Sequence, residues 1–230
     1  MLVNADFSRR AVVAPDQYQW VASPESGVER VMLDRIGAEK ARATSIVRYV
    51  PGSRFPRHAH PAGEEILVLS GVFSDEDGDY PEGWYLRNPP GSAHAPASSG
   101  GATIFVKLRQ MAPDERKRVR IDTRAPSSWH QEGERAVCPL FSSDAEQVSL
   151  QRVDAGAAIL AGPVDGAELL VLAGEIIAGA NLEGAERYAI GAWIRLPAGA
   201  YPEYRAGAQG ASVYLRIGRP AALSAEDQPS

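Results

Sequence analysis

The chain holds a single cysteine, Cys138, so no disulfide can form within it. A fold stapled by cross-links is excluded, and a reducing setting, the cytoplasm, is the expected location. Long apolar runs are missing too: no stretch approaches the ~20 residues of a membrane span. Met1–Asp6 has neither the positive start nor the apolar core of a secretory leader. Positive charge is in short supply, with 24 Lys and Arg against 29 Asp and Glu, and the basic residues are scattered. That balance argues against a nucleic-acid footprint. A small-molecule ligand is expected, with no nucleic acid and no membrane as partner.

Histidine is scarce as well, which makes its placement informative. Three of the four histidines fall in one constellation: His58-Ala59-His60, then Glu64, then His94. Two imidazoles one residue apart lie on the same side of a strand, because side chains alternate with period two. A carboxylate four residues on can swing round from the next strand, and a third imidazole completes three nitrogens and one oxygen. That set suits a divalent transition metal and leaves a position for water or substrate. His130 sits in a polar loop with no ligand at metal spacing and reads as a surface residue. Cys138, in the apolar run Ala136–Leu140, reads as a buried structural cysteine.

The glycines and prolines around the histidines carry a resemblance. Gly52, His58, His60, Glu64 and Gly71 meet G-x5-H-x-H-x3-E-x6-G; Gly83, Pro89, Gly91 and His94 meet G-x5-P-x-G-x2-H. This resembles the two-part cupin signature, with Ser98 where the family pattern usually continues with Asn. The run His58–Val72, with Tyr85–Ser92 and Phe105–Met111, narrows the resemblance to the ChrR-type cupin over about residues 20–111. That subfamily is named for the C-terminal domain of a zinc-dependent anti-sigma factor and lies near small metal-dependent dioxygenases. The resemblance implies that His58, His60, Glu64 and His94 hold one divalent transition metal per chain. Zinc is the first expectation in isolated protein, with iron, manganese or nickel as alternatives. It also implies a small-molecule metalloenzyme of dioxygenase-like oxidative cleavage, the metal centre being the catalyst. A regulatory or stress-sensing metal protein without catalysis is the alternative. A sigma-factor partner is not expected, since the residues before the first strand offer no Cys or His.

The second half repeats the first. Gly63–Gly71 matches Gly166–Gly174, Gly83–Gly91 matches Gly191–Gly199, and Ala102–Leu108 matches Ala211–Ile217. The repeat and the resemblance give an all-β expectation: two tandem cupin jelly-roll barrels, a bicupin. The expected divisions are a metal-binding barrel at 1–112, a linker at 113–128, a degenerate barrel at 129–222 and a disordered tail at 223–230. In the second copy the histidine positions fall within Ala161-Gly162-Pro163, Glu64 aligns with Ala167 and His94 with Pro202. No transition metal is expected there. A homodimer is left open.

Alternation sets further expectations. Glu64, Ile66 and Val68 face one side of their strand, taken as the interior; Glu65, Leu67 and Leu69 face the other. Leu67, Leu69, Leu170 and Leu172 are expected in a contact between barrels. Met32–Val47 has a helical periodicity, but Gly37 and β-branched Thr44, Ile46 and Val47 favour two strands. Phe55, Tyr85 and Phe105 are candidate substrate-binding residues on the wall of a small apolar pocket. Arg48 and Arg87 are candidates for meeting an anionic substrate. The acidic run Asp75–Pro81 reads as a solvated turn.

Overall fold

Alternation and glycine placement govern how this chain folds. The computed structural model describes all residues except 24, 25, 39, 180–183, 201 and 219–230, and the side chain of Ala161. The expected tail at 223–230 lies outside the described residues. The principal strands are β1 (Ala11–Val13), β2 (Val28–Ile36), β3 (Arg42–Tyr49), β4 (His58–His60), β5 (Glu64–Asp75), β6 (Gly78–Pro81), β7 (Trp84–Asn88), β8 (Ser92–His94), β9 (Ala102–Leu108) and β10 (Val119–Asp122). They continue with β11 (Arg135–Ser142), β12 (Gln147–Val153), β13 (Asp165–Ala178), β14 (Trp193–Ala198) and β15 (Glu203–Ile217). Among the described residues, the helical pieces are two single 3-10 turns, Pro15–Gln17 and Pro126–Ser128. Met32–Val47 forms two strands, with Gly37 at φ +114° between them, a backbone region that L-residues other than glycine rarely enter.

The chain divides into two compact units. The first holds Met1–Ala5 and Gln19–Arg124; the second holds Asp6–Tyr18 and, among the described residues, 125–218. In the first, the main sheet runs β2-β3-β9-β5-β7-β10; in the second it runs β11-β12-β15-β13-β14-β1, all antiparallel. The order is the same, position for position. Segment 113–128, expected as a linker, contains β10, whose residues pair along β7 from Trp84↔Asp122 to Arg87↔Val119. The matching place in the second unit is taken by β1, from near the N-terminus, with Val12 opposite Ile194.

Register extends the likeness to single residues. Val28 pairs with Tyr49 and Tyr49 with Ala102; Arg135 pairs with Val153 and Val153 with Ala211. A β-bulge interrupts β2 between Met32 and Asp34, and one interrupts β11 between Pro139 and Phe141, at the same distance along each strand. A bulge adds one residue to one strand and reverses which side chains face inward beyond it.

The interior of the first unit is built from the inward residues of this register. Val47, Ile66, Val68, Phe73, Leu86, Ile104 and Val106 form one buried cluster. Each large side chain so buried contributes roughly 1.5–3 kcal/mol relative to exposure. The opposite face of β5 is also covered, Leu67 being 3% exposed. There Arg87 donates to Glu65 at 2.9 Å and to Glu115 at 2.6 Å, a buried ion group. In the second unit Val153, Ile159, Leu169, Val171, Ile194 and Val213 make the corresponding cluster.

Candidate metal centre

His58 and His60 occupy alternate positions of β4, so both project to one side. β8 pairs with β4 so that His94 lies opposite His58 and Ser92 opposite His60. The ring centroids are 4.9 Å apart for His58–His60, 5.3 Å for His58–His94 and 4.8 Å for His60–His94. One nitrogen from each ring falls within 4.8 Å of the others. Glu64, the first residue of β5, closes the fourth side: its Oε2 lies 3.5 Å from His60 Nε2 and 3.4 Å from His94 Nε2. All four expected residues are therefore brought to one place. His60, Glu64 and His94 are buried, and His58 is exposed.

The surroundings fix which nitrogens face inward. His58 Nδ1 is 3.1 Å from the Pro56 carbonyl, which can only accept, so Nδ1 carries the proton and Nε2 is left basic. His94 Nδ1 is 3.4 Å from the Asp75 carboxylate, which has the same effect. His60 Nε2 and His94 Nε2 are buried without a hydrogen-bond partner. Two orphaned buried nitrogens aimed at a shared point cost free energy unless something accepts their lone pairs. A divalent cation fits this requirement, and three imidazoles with one carboxylate are a donor set such ions take.

Burial pushes the His60 imidazole below its ordinary range; the Glu64 charge opposes this, and the neighbouring His94 and His58 add to it. The neutral form, the one that can ligate, is favoured. Burial would raise the Asp75 carboxyl, but the His94 hydrogen bond, the Asp77 N–H and the charges of His94 and Arg120 together hold it below its usual value. Asn88 Nδ2 donates to Glu64 at 3.0 Å, and its own Oδ1 accepts from Arg120 at 2.7 Å. Asp75, Asn88 and Arg120 thus orient the candidate ligands from behind. The sequence reading missed them. Asp75 stood inside an acidic run taken as solvated, yet its side chain is 1% exposed. Only the pairing of β5 with β6, which sets Asp75 opposite Gly78, turns that end of the run inward.

Beside the histidines lies a cavity of about 430 Å³ within the first unit. Inward residues of β2, β3 and β9 form its wall, including Val28, Val47, Ile104 and Val106, and Phe55 lines it as expected. Tyr49 also lines it, edge-on to Phe55 at 5.3 Å. Burial first, and the Glu64 charge second, push its phenol well above the usual range, so it stays a hydrogen-bond donor. Tyr85 and Phe105 do not line the cavity. Both pair directly with Leu67, so they stand on the outward face of the sheet, one residue out of step with Leu86, Ile104 and Val106. Nor do Arg48 and Arg87 reach it. Arg48 pairs with Glu29 and stacks over Trp20, while Arg87 is held by Glu65 and Glu115.

Among its described residues, the second unit does not repeat the site. Ala167 occupies the register position of Glu64, and Leu196 that of Asn88. The turn glycine Gly91 donates to His60 O, whereas Gly199 donates to Val164 O, so Val164 takes the backbone role of His60. Glu168 stands at the position of Glu65 and accepts from Trp193 Nε1 at 2.8 Å. His130 is exposed beside Glu132, and Cys138 is buried, its thiol pushed up to about 11 by that burial.

Residues 8–112 match the family model described as the ChrR cupin-like domain. No curated protein matches the chain. Among solved structures, a provisionally named dioxygenase from Nostoc punctiforme is similar at TM-score 0.75 and 15% identity, covering 95% of this chain and 85% of that one. A provisionally named glyoxylate-induced protein from Pseudomonas aeruginosa gives TM-score 0.70 at 16% identity, covering 94% and 92%. Oxalate decarboxylase from Bacillus subtilis, a protein with Mn(II) centres, gives 0.61 at 14%, covering 93% and 78%. At such identities these likenesses show the fold, which is the cupin fold. None of the described helices is long and apolar enough to cross a membrane.

Proposed function

Since residues 8–112 carry a ChrR cupin-like domain, we propose that the chain is a bicupin metalloprotein acting on a small molecule, with its chemistry confined to the first barrel. His58, His60, Glu64 and His94 hold one divalent transition metal. The observation that carries this reading is the pair of buried, unpartnered Nε2 atoms of His60 and His94, converging with His58 and Glu64. When bound, such an ion supplies a Lewis acid and, if redox-active, electrons for oxidative chemistry. The chain's own residues do the rest. Asp75 and Asn88 hold His94 and Glu64 in place, the apolar wall of Val47, Ile104 and Val106 excludes water, and the Tyr49 phenol offers a hydrogen-bond donor to a ligand in the cavity.

Oxidative cleavage of a small dicarbonyl compound, in the manner of a dioxygenase, is the reaction class proposed. It rests on the similarity in fold to a provisionally named dioxygenase and on the donor set. The test is elemental analysis of protein purified without added metal, then dioxygen uptake with iron-loaded protein over a panel of small dicarbonyls. Uptake by the wild type that is lost in His94→Ala supports the reading; a chain that takes up no metal refutes it. The name of the matching family favours one second reading, a regulatory metal protein without turnover. In that case loading with metal or treating with an oxidant would change affinity for a protein partner while no substrate is consumed.

A further inference from the structure

The cavity beside the histidines carries a charge that metal binding does not use. We propose that it receives a small organic anion, with the carboxylate held by Arg30 and supported by Arg35 and Arg109; this rests on the first barrel being the working site. Arg30, Arg35, Lys40 and Arg109 all line the cavity, and Glu64 is the one acidic residue among the described residues that do. With Glu64 assigned to the metal, the ligand space is left cationic.

Arg30 is the sharpest case. Its Nε is buried without a hydrogen-bond partner, and the guanidinium makes no ion pair among the described residues. A buried guanidinium donor left unsatisfied is costly, and a carboxylate matches its fork geometry. Arg35 reaches the same wall by the bulge in β2: Arg30 pairs with Val47 and Arg35 with Ala43, both inward positions of β3, although they are an odd number of residues apart. Arg109 sits at φ +59°, one of two non-glycine residues in the left-handed region among those described. An L-residue held there is strained.

The second unit supplies the control. Register puts Val137 at the position of Arg30 and Ser142 at that of Arg35. Arg109 N–H donates to Gly63 O at 3.0 Å, and Gly218 N–H donates to Gly166 O at 3.0 Å, so glycine stands where Arg109 is. The backbone has φ +134° at Gly218, a conformation glycine adopts freely. Three cations and the candidate metal ligands are thus present in one copy and absent from the other. Unlike Arg30, the inward arginine of the second unit, Arg135, is engaged by Gln151 and the carbonyls of Ala158 and Ile159, and Arg35 donates to the Ala38 carbonyl. Arginines kept only for folding would not be expected to disappear together with the ligands.

The experiment is calorimetric titration of the full chain, zinc-loaded and metal-free, with malonate and with neutral pentane-2,4-dione. Malonate should bind the zinc-loaded wild type more tightly than the dione does. Arg30→Gln should weaken malonate by roughly 10- to 100-fold, the loss of one charge-assisted pair, with zinc content unchanged. Arg35→Gln should weaken it less, Arg30→Lys should restore part of the affinity, and Arg48→Gln, outside the cavity, should match the wild type. Equal binding of malonate and dione, no binding of malonate, or an Arg30→Gln protein that binds like the wild type would overturn the proposal. Should the chain take up no metal, the metalloprotein reading fails by itself; Arg30-dependent binding of malonate to metal-free protein then still decides this inference.

Discussion

Two adjacent glutamates show how much one residue step decides. Glu64 faces the histidines, and Glu65 faces Arg87 on the other side of the same strand. Glu64→Ala should strip or sharply weaken the metal with little loss of fold stability, because its removal relieves a buried carboxylate. Glu65→Ala should do the reverse. It leaves Arg87, 1% exposed, with half of its counter-charge, and breaking a buried pair in this way costs about 3–5 kcal/mol. Elemental analysis and urea unfolding of both variants read the two effects separately; a Glu65→Ala protein that loses metal but not stability would contradict the assignment. Asn88→Leu copies the second unit's Leu196 and should lower metal affinity about 10–100-fold, as loss of a ligand-orienting group does. Acid adds a sign-defined effect. The folded-state value of His60 is depressed below its ordinary 6.5, so the metal-free fold has its full stability above that pH. Below it the unfolded chain binds more protons, and stability falls as pH drops through the folded value. Urea midpoints between pH 7.5 and 5 should decline in the metal-free wild type and decline less in His60→Gln.

At the scale of strands, the edges carry the consequences. β1 is only three residues long, yet it completes the sheet of the second unit at β14. Val12 packs against the buried cluster of the second unit, so Val12→Asp, which sets a charge there, should lower the melting temperature while leaving metal content at the wild-type level. Loss of metal in that variant would show that the two units are not independent in this respect. Gly71 and Gly174 mark matching close approaches of strands in the two units. A Cβ at Gly71 would lie 2.1 Å from Gly101 O, and one at Gly174 would lie 2.2 Å from Gly210 O, both at positive φ. Ala at either place should destabilise the chain by more than the usual Gly→Ala change. The paired bulges in β2 and β11 were not legible in the residue pattern, because a bulge is defined by the partner strand as much as by its own.

For the whole molecule, the repeat predicts stoichiometry. The register of the second unit offers Ala167, Val164 and Leu196 where the first has Glu64, His60 and Asn88, so one tightly bound transition metal per chain is expected from mass spectrometry under native conditions. Two tightly bound ions would count against the assignment. The expected contact through Leu67, Leu69, Leu170 and Leu172 remains a proposal, to be tested by whether Leu67→Asp with Leu170→Asp lowers cooperativity of unfolding.

The sequence by itself determined the strand content, the repeat and the candidate set His58, His60, Glu64 and His94, because each is written in spacing along the chain. Period-two alternation places His58 with His60, glycines at fixed spacing allow the turns, and matching strings such as Gly63–Gly71 and Gly166–Gly174 need no partner to be seen. Whatever depends on a second strand was left to the tertiary structure. Facing direction is one such property: Tyr85 and Phe105 read as interior until their pairing with Leu67 sets them outward. Membership is another, since β10 and β1 are placed by the strands they pair with and not by their order in the chain. Partnership is the third. Asp75 behind His94 and Asn88 behind Glu64 are facts of distance between residues 19 and 24 apart in sequence, and only folding brings such groups together.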